Sequence, residues 1–262
     1  MKKWILLLLA AVLLCGCAPA EKAAQPVKIA VIDTGFSSLA IPSENVAEGK
    51  NYLDPEASTE DTYGHGTAVA SVILQHAPDA VLIPLVSNAY DKGKITQVSN
   101  DVFAQMIVDA VDVYHCQIIN ISAGLVLDKE EIRDAVAYAR ENGALIVASA
   151  GNDYRENPGQ KYYPGGYDAV VAVGALNAQG DAVADFSQRG DWVELYAPGT
   201  EVAIRTLSGG SRKDSGTSYG CAYVCAVAAN YLRENPGKDG EQVRQYLKEK
   251  AVVLPDGKLA IK

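Results

Sequence analysis

Apolar, mostly β-branched runs recur along the chain at 27–32, 80–86, 117–121, 144–149, 169–173 and 192–196. Each is five to seven residues long and almost free of charge. That pattern marks strands buried on both faces rather than half-exposed strands with alternating polarity. Between the runs, apolar positions return with helical spacing over about 64–75, 96–115 and 128–142. A long apolar helix follows residue 218, and a charged amphipathic one spans about 240–250. The helix at 128–142 takes Asp128 as its N-cap, with Glu131 three residues on and Gly143 as its stop. Strands alternating with helices in this way predict an α/β fold of three layers, a doubly wound, mostly parallel sheet with helices on both faces. No internal repeat interrupts the alternation.

The first residues depart from the pattern. Lys2 and Lys3 precede an apolar run from Trp4 to Leu14, eleven residues long and too short to span a bilayer. This is the form of a secretion signal. Two ends are open to it: a cut after Ala18-Pro19-Ala20, or the segment Leu14-Cys15-Gly16-Cys17, which is similar to a bacterial lipobox. The second implies a signal peptide of residues 1–16, a diacylglyceryl group on Cys17, and a short tether to residue 27. A tether from Ala18 to Pro26 reaches roughly 30 Å at full extension. Residues 28–262 are then one domain; the roughly 245 residues left after the leader suit a single large core better than two ordinary domains.

Composition narrows the partners. The chain is 48% hydrophobic and 21% charged, with a formal net charge of −9. Loss of Lys2 and Lys3 with the leader would take it to about −11. An acidic protein is a poor partner for nucleic acid or an anionic membrane face. Cys116, Cys221 and Cys225 remain beyond the leader, an odd number. Cys221 and Cys225 stand four apart, on one helix face, as buried inert thiols. No C-x-x-C or His/Cys cluster suggests zinc.

Four short segments carry chemistry. Asp33-Thr34-Gly35 ends the first strand, and in an open parallel sheet functional groups collect at strand carboxyl ends. His65 lies between Gly64 and Gly66 at a helix start, an accessible imidazole in a tight turn. Asn152 follows a buried strand in Ser149-Ala150-Gly151-Asn152, and Ser218 opens a helix in Gly216-Thr217-Ser218. Together they supply an acid, a base, an oxyanion donor and a nucleophile, the parts needed for acyl transfer. A single Asp-Thr-Gly amid alternating strands and helices does not suit an aspartic protease, which needs two such loops or a short homodimeric chain, and antiparallel sheets.

The order Asp, His, Ser is that of subtilisin, and these segments resemble the subtilisin-like serine proteases, the subtilase (S8) family. The likeness runs from about Lys28 to the C-terminus. It takes in Ala77-Pro78-Asp79-Ala80, Ile118 to Gly124, Tyr163-Pro164-Gly165 and Asp185 to Gly190. It implies a serine endopeptidase with Asp33, His65 and Ser218 as triad and the Asn152 amide, with the Ser218 N–H, as oxyanion hole. It also implies that Ser122, Ala123, Gly124 and Gly151 flank a substrate bound as an extra strand. Asp153 and Tyr162 fall near the pocket for the residue on the acyl side of the scissile bond (P1). There Asp153 would favour a basic or polar P1 residue, and Tyr162 would make the pocket shallower.

Departures from the family carry expectations too. The pattern Gly-Thr-Ser-x-Ala-x-Pro becomes Gly220 and Ala222 at its last two places. Ala68 and Ser71 stand where relatives have histidine and glycine. Relatives carry a folding pro-domain where the first strand begins here, so unaided or assisted folding is expected. The calcium-binding loop that interrupts the histidine helix in secreted relatives is missing between Gln75-His76 and Ala77-Pro78. No cofactor is expected; calcium stays open as a structural ion, but with its usual loop site deleted little dependence on it is expected. The expected protein is a monomer acting on proteins or peptides, outside the cytoplasm and held at a bacterial membrane by its lipid. The competing reading is a silent subtilase fold that binds peptides or regulates a protease. A solute-binding lipoprotein would need two lobes, which the length does not suggest.

Overall fold

A computed structural model describes residues 26–91 and 93–262. The signal segment, Cys17 and most of the tether lie outside the described residues. The chain runs β1 (Lys28–Asp33), β2 (Lys50–Asn51), α1 (His65–His76), β3 (Val81–Val86), β4 (Asn88–Asp91), β5 (Lys94–Gln97) and α2 (Asn100–Asp112). It continues with β6 (Ile118–Ile121), α3 (Glu130–Glu141), β7 (Leu145–Ser149), β8 (Val171–Leu176), β9 (Leu195–Pro198), β10 (Val202–Arg205) and β11 (Ser211–Asp214). Last come α4 (Thr217–Glu234), α5 (Gly240–Lys250), β12 (Val252–Val253) and β13 (Leu259–Ala260).

Nine strands form one sheet in the order β12-β13-β9-β8-β7-β6-β1-β3-β2. Every neighbouring pair is parallel except β12 with β13. The order shows why the strands read as unbroken apolar runs. In β1, Ile29 and Val31 face a core shared with α1, α4 and α5, while Ala30 and Ile32 face a second core under α2 and α3. The result is the three-layer α/β fold that the sequence predicts. From β1 the chain steps one way to β3 and later returns on the other side at β6. That reversal opens a crevice at the carboxyl ends of β1 and β6, where Asp33 and Ser122 lie.

Two local expectations are corrected. The helix expected over 96–115 is α2 alone, because Ser99 caps it, its hydroxyl accepting from the Val102 N–H at 3.3 Å. The residues before that cap form an antiparallel hairpin of β4 and β5. Asp128 does not cap α3. Its carboxylate is taken by Arg133 at 2.7 Å and by the Tyr167 hydroxyl at 2.9 Å, so Lys129 holds the cap position.

Candidate active site

Asp33 is the last residue of β1 and is 2% exposed. Its Oδ1 accepts from the Thr34 N–H at 2.8 Å, which fixes the carboxylate plane. His65 begins α1 after Gly64, whose φ of +104° turns the chain sharply into the helix. Gly66 lies so close to the first strand's loop that a Cβ there would meet the Gly35 oxygen at 2.3 Å. Its N–H donates to Thr34 Oγ1 at 2.9 Å. The two glycine-flanked motifs are thus seated directly on each other, and His65 Nδ1 reaches Asp33 Oδ1 at 2.8 Å and Oδ2 at 2.9 Å. With the Nδ1 proton donated to Asp33, the Nε2 lone pair faces Ser218 Oγ at 3.2 Å.

Ser218 is the second residue of α4, where unpaired helix N–H groups and the helix dipole favour negative charge. Asn152 comes to the same place from the end of β7. Its Oδ1 accepts from the Thr217 N–H at 2.8 Å and the Thr217 hydroxyl at 2.9 Å. That fixes the amide and leaves its Nδ2 on the side of Gly216 and Ser218. On the opposite flank, the Ser122 hydroxyl, with one proton to give, lies within hydrogen-bond reach of both the Ser218 carbonyl at 3.3 Å and Asn120 Oδ1 at 3.1 Å. The four expected groups and Ser122 therefore meet, from β1, β6, β7, α1 and α4.

Burial is the largest single influence on His65 and works against its charged form. The Asp33 charge and hydrogen bond, with Asp61 and Asp214 farther off, outweigh it, so the imidazolium is held above the ordinary histidine value. Asp61 lies outside the four sequence segments. It is buried, and its carboxylate accepts from the N–H groups of Tyr63, Gly64 and Thr67 and from the Thr67 hydroxyl. It thus anchors the turn that presents His65. The signal for it was an aspartate three residues before a glycine that precedes a helix, an acceptor for free N–H groups.

Two cavities flank the triad. One, of about 340 Å³, contains Ser122, Ala123, Gly124, Gly151, Asn152, Asp153 and Tyr162 as well as Ser218. The other, of about 470 Å³, opens beyond His65 between Tyr63, Leu207, Arg212 and Tyr219. A larger cavity of about 750 Å³, near Ile41, Glu48 and Tyr114, holds none of these groups. The Asp153 carboxylate is not a vacant acid. It accepts from Tyr162 at 2.6 Å, and from Asn157 and Gln188 at 2.8 Å each. Burial opposes its ionisation, but those donors hold its carboxyl below the usual carboxylate range.

Cys116, Cys221 and Cys225 are buried free thiols. The Asn120 amide donates to Cys221 Sγ at 3.1 Å and Cys225 Sγ at 3.5 Å, beneath the nucleophile. Burial pushes the Cys116 thiol up to about 12 and Cys221 well above the ordinary value, so both stay protonated and unreactive. Among the described residues, no three His, Cys, Asp or Glu side chains gather as a metal site.

The sequence model of the subtilase family, Peptidase_S8, matches residues 24–260. The minor extracellular protease Epr of Bacillus subtilis is 33% identical over 87% of this chain, which covers 35% of that protein. Subtilisin Savinase of Lederbergia lenta is 31% identical over 87% of this chain and 84% of its own length. The chain spans about a third of the length of Epr, and 60% of the M-protease of Shouchella clausii. Among solved structures, a cold-adapted subtilisin-like serine proteinase superposes with a TM-score of 0.78 at 26% identity, covering 89% of this chain and 87% of its own. Sphericase superposes at 0.74 with 31% identity, covering 87% and 84%.

Proposed function

The chain belongs to the subtilase family, and from that premise we propose that it is a serine endopeptidase acting through an acyl-enzyme on Ser218. The observation that carries this reading is the unbroken contact from Asp33 through His65 to Ser218, with the Asn152 amide fixed beside it. His65 Nε2 takes the hydroxyl proton as Ser218 Oγ attacks the scissile carbonyl carbon. The carbonyl oxygen becomes an oxyanion facing Asn152 Nδ2 and the Ser218 N–H. Asp33 stabilises the imidazolium, which then gives its proton to the departing amine as the C–N bond breaks. Water, deprotonated by the same imidazole, releases the acyl group.

The silent-fold reading rests on Gly220 and Ala222. Against it, Ser218 Oγ still lies 3.2 Å from His65 Nε2, and Ala222 sits in regular helix, fully buried. An alanine also keeps the helical N–H that a proline would remove. The proposal places the enzyme outside the cytoplasm, tethered through a lipid on Cys17. Its support is the basic and apolar leader with the Leu14-Cys15-Gly16-Cys17 segment.

One experiment tests both parts. A fluorophosphonate probe should label the intact protein in the detergent phase of a membrane extract. Ser218→Ala should abolish the label, and Cys17→Ala should move labelled protein to the aqueous phase. A folded protein that takes no label would end the enzymatic reading; label in the aqueous phase from the start would end the lipid one.

A further inference from the structure

The cavity beside Ser218 that holds the Asn152 amide is where the P1 side chain must go. The scissile carbonyl has its carbon at Ser218 Oγ and its oxygen toward Asn152, so the acyl residue's side chain points between the walls that follow β6 and β7. Those walls are bare at the level of the pocket. One presents Gly124 and the other Gly151. Two facing glycines leave room for a broad slot, yet something already occupies it.

A Cβ placed on Gly124 would lie 3.0 Å from the Cβ of Tyr162. A Cβ placed on Gly151 would lie 2.7 Å from Cδ2 and 2.8 Å from Cε2 of the same residue. The Tyr162 side chain therefore begins against one wall and ends its ring against the other, crossing the slot between them. Both ends of this bar are tied. Its hydroxyl donates to Asp153 at 2.6 Å, and Asp153 is in turn held by Asn157 and by the fully buried Gln188. Its backbone carbonyl accepts from the Gly166 N–H at 2.7 Å, and the next residue, Tyr163, exchanges two backbone hydrogen bonds with Leu125 at 2.7 and 2.8 Å. Swinging the ring out would break a charge-assisted hydrogen bond and leave an ionised carboxylate short of a donor.

We infer that Tyr162, locked by Asp153, is the specificity-determining floor of the P1 pocket and restricts cleavage to bonds after glycine, alanine or serine. The inference rests on the proteolytic reading above and deepens it. Aromatic and long aliphatic P1 side chains meet the ring before the carbonyl carbon reaches Ser218. Basic ones find no free carboxylate, because every donor Asp153 needs comes from the protein itself. Burial and the neighbouring carboxylate push the Tyr162 phenol up to about 12, so the tether stays intact through the neutral range in which the triad works.

The test uses three covalent reagents for the nucleophile on the full chain: a small fluorophosphonate with no P1 group, and matched peptidyl phosphonates with alanine or phenylalanine at P1. The wild-type protein should react with the alanyl reagent at least about tenfold faster than with the phenylalanyl one, in line with the discrimination a shape-filled pocket provides. Tyr162→Gly should reverse that preference, raising the phenylalanyl rate about tenfold or more. Tyr162→Phe keeps the ring and loses only the tether; it should narrow the preference without reversing it, and it serves if the glycine variant does not fold. Equal rates for both peptidyl reagents in the wild type, or a preference for phenylalanine, would overturn the inference while fluorophosphonate labelling still upheld the enzyme. Absence of reaction with all three by folded protein would overturn the proteolytic reading and this inference with it.

Discussion

Burial by itself would pull the His65 imidazolium below the free value of 6.5, and it is the largest influence at that position. Asp33, in contact through both oxygens, reverses the sign with help from Asp61 and Asp214. A general base must be neutral to accept the Ser218 proton, so the acid limb of kcat/KM should have its midpoint above 6.5. Asp33→Asn removes the charge and the preferred tautomer together; the midpoint should move down and kcat should fall by about 10⁴, as for triad aspartates elsewhere. A pH profile of both proteins reads this, and a midpoint that stays put in the variant would show that Asp33 does not govern the imidazole. The same raised value has a stability consequence. The His65 contribution is fully present below 6.5 and is lost as pH rises through the higher folded value. Asp33, His65, Asn152 and Ser218 are all legible in the sequence because each sits in a short motif; Gly35, Gly64 and Gly151 hold positive φ in theirs, whereas Gly216 before Ser218 is extended. Asp61 lies outside those motifs although its partners are all within six residues of it, and the lock on Tyr162 is harder to read because Gly124 and Gln188 come from distant segments.

At the scale of elements, α4 shows how this chain accommodates its departures from the family pattern. Gly220 faces the sheet, where a Cβ would stand 2.9 Å from the Gly174 oxygen and 3.4 Å from the Ala197 oxygen. The helix that carries Ser218 therefore approaches β8 and β9 more closely than the alanine of the pattern would allow. Glycine within a helix normally costs about 1 kcal/mol relative to alanine, so on propensity alone Gly220→Ala would stabilise. Here backbone oxygens would have to move, an overpacking cost of about 1–3 kcal/mol that reverses the sign. Chemical denaturation should thus give a lower midpoint for Gly220→Ala, and a higher one would mean the close approach is not real. Helix and strand identities in the core were readable for a similar reason, since β1, β3, β6 and β7 must be apolar on both faces. Ends were less readable. Asp128 has every local feature of a cap, and only Arg133 and Tyr167 divert it.

Over the whole molecule, the route from α1 into β3 bears on the expectation that the fold needs little from a bound ion. The Ala77 N–H closes on the Ile73 oxygen at 2.8 Å and the Ala80 N–H on the Ala77 oxygen at 3.1 Å, so the helix passes to the strand through one tight turn. Side chains from two other parts of the chain tie that turn down. Asn45 Nδ2 donates to the Pro78 and Ala80 oxygens at 2.7 and 3.0 Å, and Asn230 Nδ2 to the His76 oxygen at 2.8 Å. Arg233 pairs with Asp79 on the same turn. The carbonyls of His76, Pro78 and Ala80 in this turn are thus already engaged by amide donors. An ion present at a hundred times its dissociation constant would contribute about 2.7 kcal/mol. In a domain of this size its removal would lower Tm by about 5–10 °C. With amides in place of the ion, excess EDTA should shift Tm by less than about 2 °C. Asn45→Ala, which strips two carbonyls of their donor, should lower it by more than the chelator does. A fall of 5 °C or more on chelation, reversed by added calcium, would mean that the fold does rest on the ion.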